Sequence, residues 1–186
     1  METFQQARSQ SVIDLLTGSR YDLFIIEITT EYTVKTLKDY QLLTAQAVAL
    51  IEDESDLIAN LSNISALLNM NLATINWVGF YLLKGDQLVL GPFQGNVACV
   101  RIDLDKGVCG KAFSTNTTQR IADVHDFPGH IACDAASQSE IVVPININGK
   151  TVAVLDIDSP ITERFNEIDE QGLTEFVKQI EQHLQF

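Results

Sequence analysis

The chain has 186 residues, 46% of them apolar, which is enough for one domain of ordinary size and excludes disorder as its default state. Its 12 Lys and Arg stand against 25 Asp and Glu, a net charge of −13, with no basic residue between Lys38 and Lys84. Nucleic acid and anionic membrane are thereby excluded as main partners, because neutralising phosphates takes clustered cations.

Residues 1–36 have no clear hydrophobic period and read as an N-terminal extension of uncertain structure. Their opening, METFQQARSQ, lacks the cationic head and apolar run of a signal peptide. The apolar stretch from Tyr21 is short and interrupted by Asp22 and Glu27, so it does not span a bilayer. A cytoplasmic chain with mostly reduced cysteines is expected. Beyond this point a domain over 37–186 begins. Leu42, Leu43, Ala47, Leu50 and Ile51 fit one face of a helix. A second helix starts after Asp53 or Ser55, with Leu57, Leu61, Ile64 and Leu68 in its stripe.

The period then changes to two. Ile75 to Leu83 reads as a strand, Lys84-Gly-Asp as a turn, and Gln87 to Leu90 as the returning strand. Gly91-Pro-Phe-Gln-Gly reads as a loop. Gly107-Val-Cys-Gly-Lys-Ala-Phe opens a short helix. Ile141 to Ile147 and Thr151 to Ile157 flank Asn148-Gly149, a pair suited to a type I′ hairpin turn. A last helix, capped by Asn166, carries Leu173, Phe176, Ile180 and Leu184 on one face. This order describes an α+β domain whose economical arrangement is an antiparallel sheet with helices packed on one face.

Alternation along strands sorts the polar residues. Asp156 and Asp158 share a side, as do Trp77, Gly79 and Tyr81, and Glu140 heads the next strong strand. The plain alternatives are solvated strand ends for the acids and core positions for the aromatics. The cysteines, Cys99, Cys109 and Cys133, are an odd number, which a closed disulfide scaffold would not leave. Each alone is expected to be structural. Cys109, however, stands near a helix start, where the macrodipole favours thiolate. Cys133 stands in the loop-like segment His130-Ile-Ala-Cys-Asp-Ala-Ala-Ser, beside an Asp134 that opposes thiolate formation. Three thiols suffice for a cycle of attack and resolution. His125, His130 and the cysteines make a weak zinc set without a Cys-x-x-Cys pair, and no metal is expected. Neither Gly-rich phosphate motif nor GxSxG is present.

At these positions the sequence resembles the free methionine-R-sulfoxide reductases, a catalytic branch of the GAF superfamily. The resemblance runs through INWVGFYLL (75–83), LVLGPFQGNVACVRI (88–102), GVCGKAF (107–113), HIACDAASQSEIVVP (130–144), AVLDIDS (153–159) and RFNEIDEQGL (164–173). It implies a GAF-like α+β fold: a central antiparallel sheet of about six strands, helices packed on one face, and a ligand pocket on the other. It further implies a homodimer, no cofactor, and thioredoxin as reductant. By position, the redox cysteines are Cys99, Cys109 and Cys133, and the substrate pocket holds Trp77, Tyr81, Glu140, Asp156 and Asp158.

The implied chemistry begins with a carboxylic acid held neutral, which protonates the sulfoxide oxygen of free methionine sulfoxide. The remaining acids bind the substrate ammonium, and the aromatics hold its methyl and sulfur. A thiolate attacks the sulfur, leaving a sulfenic acid that a second cysteine converts to a disulfide. Local physics favours Cys109 as the attacker. The resemblance favours Cys133, with Cys99 and Cys109 as resolving candidates. The other classes are a non-catalytic GAF module that binds a small molecule and a thiol redox sensor. The first would be expected to carry an effector domain, for which 186 residues leave no room, and the second gives the acids no evident purpose.

Overall fold

A computed structural model describes residues 33–129 and 136–186. The reading of residues 1–32, His130 and Cys133 therefore falls outside the described residues. Helix α1 (Leu37–Ile51) starts at Thr36, whose side chain accepts from Asp39 N while Asp39 accepts from Thr36 N, a reciprocal cap. Its buried face is Tyr40, Leu43, Ala47 and Ile51. Leu42, expected in that stripe, is instead 48% exposed, because it lies a quarter-turn from Leu43. Helix α2 (Leu57–Asn71) is capped by Asp56, beyond both expected starts, Asp53 and Ser55, and buries Leu61, Ile64 and Leu68.

The sheet follows. Strand β1 (Trp77–Lys84) turns at Gly85-Asp86 into β2 (Gln87–Gly95), and β3 (Arg101–Asp103) returns along its outer side. Helix α3 (Gly107–Thr115) and the short β4 (Gln119–Ile121) precede the long hairpin of β5 (Ser139–Ile147) and β6 (Lys150–Ser159). Its turn is left-handed at both Asn148 (φ 53°) and Gly149 (φ 74°), as a type I′ turn requires. The expected loop at Gly91-Pro-Phe-Gln-Gly is the second half of β2. The register slips between Gly79↔Phe93 and Tyr81↔Leu90. That bulge is where Pro92, which has no N–H to give, is tolerated in a sheet.

Among the described residues all five strand pairings are antiparallel, in the order β3-β2-β1-β6-β5-β4. Trp77 to Leu82 are buried without a break, so β1 is covered on both faces. The cluster around Trp77 and Tyr81 takes Val108, Cys109 and Ala112 from α3 and no residue from α1, α2 or α4 (Glu167–Ile180). Thus α2 and α4 lie on the far face, with α1 against α4, while the short α3 covers the near one. Asn166 caps α4 by accepting from Ile168 N and Asp169 N, a device worth about 1 kcal/mol. Leu184 is buried as expected, but lies beyond the end of α4 at Ile180.

Candidate active site

Directly opposed residues of antiparallel strands project to the same face, so register alone assembles the site. One row across three strands is Glu140↔Asp158↔Trp77. The next is Val142↔Asp156↔Gly79↔Phe93. The acids expected from the sequence thus meet the aromatic residues on the face that α3 covers. Glu140 is 5% exposed and Asp156 6%, while Asp158 is half-buried, so none of the three is the solvated strand end that alternation alone would permit.

Trp77 and Tyr81 are each 1% exposed. The indole stacks on Phe93 at 5.3 Å between centroids and on Tyr81 at 5.9 Å. It lies over Gly79: a Cβ there would overlap Phe93 Cβ and come within 2.7 Å of the Trp77 ring. Glycine is required at that position because the indole occupies its side-chain space. The polar ends of both aromatics are used as well. Trp77 Nε1 donates to the Asn96 carbonyl at 3.1 Å, and the Tyr81 hydroxyl donates to the Cys99 carbonyl at 3.0 Å. Segment 96–100, between β2 and β3, is therefore tied to the aromatic wall on both sides of Ala98.

Cys109 Sγ, a Glu140 carboxylate oxygen and an Asp156 carboxylate oxygen all lie within 4.8 Å of one another, and all three residues are buried. Burial and the neighbouring Asp156 and Asp158 push the Glu140 carboxyl well above its usual range. Burial also raises Asp156, to about 6, with the Cys109 thiol and the Glu140 carboxyl pulling the other way. Asp156 Oδ1 has no hydrogen-bond partner, a free acceptor inside the site.

Cys109 departs from expectation. It is the third residue of α3, but burial and then the charges of Asp156 and Glu140 push its thiol up. These outweigh the helix-terminus effect, which is worth about 0.3–1 kcal/mol. Cys109 is a free thiol, whereas Cys99 is disulfide-bonded. Among the described residues, Cys109, Glu140 and Asp156 are also the group whose donor atoms are close enough to share a metal ion. Binding one would require the deprotonated forms that burial disfavours here. His125, named with the weak zinc set, is exposed and paired with Asp123 Oδ1 at 2.7 Å, away from this group.

Sequence reasoning did not identify Phe93 or the hold on segment 96–100. The presence of Gly79 between Trp77 and Tyr81 on the same face was a usable signal for the first. The second depends on contacts nearly twenty residues apart and left none.

The GAF domain family matches residues 61–185. Among curated relatives, Protein YtsP of Bacillus subtilis (strain 168) is 60% identical over 149 residues, which cover 79% of this chain and 91% of the relative. The free methionine-R-sulfoxide reductase of Escherichia coli (strain K12) is 57% identical over 136 residues, covering 73% and 82%. Among solved structures, that of fRMsr of Staphylococcus aureus in complex with substrate superposes with a TM-score of 0.76. It has 58% identity and covers 81% of this chain and 97% of its own.

Proposed function

We propose a residue-level mechanism for a chain that belongs to the GAF-domain family and, within it, to the free methionine-R-sulfoxide reductases. It reduces free methionine-R-sulfoxide to methionine. One observation carries the reading of the site: the Glu140 carboxyl, pushed well above its usual range by burial and by Asp156 and Asp158, lies within 4.8 Å of an Asp156 carboxylate oxygen on a buried face shared with Trp77.

A sulfoxide sulfur becomes a good electrophile only when its oxygen is protonated or strongly hydrogen-bonded. Glu140 supplies that proton. Asp156, through Oδ1, and Asp158 accept the substrate ammonium. A free amino acid carries that group and a methionine inside a chain does not, which accounts for the preference for the free form. Trp77 and Tyr81 hold the methyl and sulfur by apolar and S–aromatic contact. Cys133 attacks as thiolate, methionine leaves, and the Cys133 sulfenic acid condenses with Cys99, releasing water. Cys99 is preferred over Cys109 as resolver because it is already oxidised to a disulfide while Cys109 keeps its thiol. Cys109 then serves as a neutral donor toward Asp156 and stays outside the redox cycle. Thioredoxin restores the dithiol by exchange. The setting is cytoplasmic, the catalytic domain is 37–186, and the protein works as a homodimer without a cofactor. Among the described residues no helix is long and apolar enough to cross a membrane.

The test is NADPH oxidation coupled through thioredoxin and its reductase, with free methionine-R-sulfoxide, the S epimer and a peptide sulfoxide in parallel. Turnover of the free R form alone is expected, retained in Cys109→Ser and lost in Cys99→Ser and Cys133→Ser. In a single turnover, Cys99→Ser should still release methionine. Methionine formation by Cys133→Ser would overturn the assignment of the nucleophile.

A further inference from the structure

The mechanism needs a disulfide to be reopened, and the surface beside Cys99 has an unusual composition. Val97 is 87% exposed and Val100 65%, the largest values among the exposed large hydrophobic residues described. Both lie within two residues of Cys99, itself half-buried and disulfide-bonded. The strip is also presented in a fixed way. Its inner side is fastened by Trp77 Nε1 to Asn96 O and by Tyr81 Oη to Cys99 O, and Leu90 N donates to Val100 O at 3.0 Å. Two apolar side chains thus stand in water on a backbone tied at three points, so covering them would release their exposure cost with little further loss of backbone entropy.

We propose that segment 96–100 is the docking strip for the reducing partner, a small protein bearing a reactive dithiol, with Val97 and Val100 as its apolar contacts. This rests on the reductase reading above. A thiolate of the partner attacks Cys99 Sγ, the existing disulfide breaks, and its other sulfur leaves as thiolate. The partner's second thiol then attacks its own sulfur in the mixed disulfide and releases Cys99. Two electrons and two protons pass to this chain, and the partner leaves as a disulfide.

The experiment compares wild type with V97S/V100S, driven either by a bacterial thioredoxin with its reductase and NADPH or by dithiothreitol. The KM for thioredoxin should rise about fivefold or more in the variant, with the dithiothreitol-driven rate unchanged. A thioredoxin lacking its second cysteine should be trapped on Cys99. An unchanged KM overturns the proposal, and so does an equal loss with both reductants. A change of oligomeric state in the variant also overturns it, by showing a contact between copies of this chain. Wild type that turns over with dithiothreitol and never with thioredoxin would sink the strip while leaving the reductase reading intact.

Discussion

Asp156→Asn should make the protein more stable and far less active. Burial raises this carboxyl from 3.8 to about 6, a preference of the folded state for the protonated form. At about 1.36 kcal/mol per pH unit, two units give a native-state cost of about 3 kcal/mol once the group is ionised. The stability conferred by binding the proton more tightly is fully present below about pH 3.8 and lost as pH rises through 6. Asparagine keeps the shape and an acceptor for its neighbours and never ionises. The variant should therefore match wild type near pH 3.5 and gain on it as pH rises. By pH 7.5 its advantage should approach about 3 kcal/mol, or roughly 6–12 °C in Tm for a chain of this size. Urea unfolding at half-unit steps from pH 3.5 to 8 measures the difference directly. In the proposed mechanism the substrate ammonium then loses a buried counter-charge, so activity should fall by a hundredfold or more. An advantage that stays constant across the pH range, or a variant less stable than wild type at pH 7.5, would refute the reasoning.

Gly79→Ala should destabilise the fold by about 1–3 kcal/mol, since the new methyl meets the Phe93 backbone at 2.9 Å and the Trp77 ring at 2.7 Å. Trp77 is the chain's single tryptophan, so its fluorescence should report the displaced ring; an unchanged spectrum with unchanged stability contradicts the close approach. Tyr81→Phe keeps the ring and removes the hydrogen bond to the Cys99 carbonyl, worth about 1 kcal/mol. Methionine release in a single turnover should persist while disulfide closure slows roughly fivefold, seen as longer-lived sulfenic acid under dimedone trapping. Equal closure rates would show that the tie does not position Cys99.

The face of each strand residue was legible because period two is a local property. Asp156 with Asp158, and Trp77 with Gly79 and Tyr81, could be sorted without knowing which strands are neighbours. Which rows meet was not legible, since the pairing of Glu140 with Asp158 and of Asp158 with Trp77 is set by sheet order. Gly91-Pro-Phe-Gln-Gly was misread because glycine and proline punctuate loops and bulged strands alike, and only the partner strand distinguishes them. Cys109 was misjudged for a related reason. The helix start is written in the local sequence, while the carboxylates that oppose its ionisation come from β5 and β6, some thirty to fifty residues later.

The order β3-β2-β1-β6-β5-β4 has a consequence for the order in which the chain acquires its chemistry. Trp77 and Tyr81 are made before Glu140, Asp156 and Asp158, and Trp77 meets Asp158 only when β6 docks against β1. That pairing closes the longest loop between adjacent strands and is entropically the hardest step of the sheet. A nascent chain can therefore display Trp77 and Tyr81 before the carboxylates of β5 and β6 are in place beside them. A single central seam between β1 and β6 joins the two halves of the sheet and sets Trp77 against Asp158 in the same step.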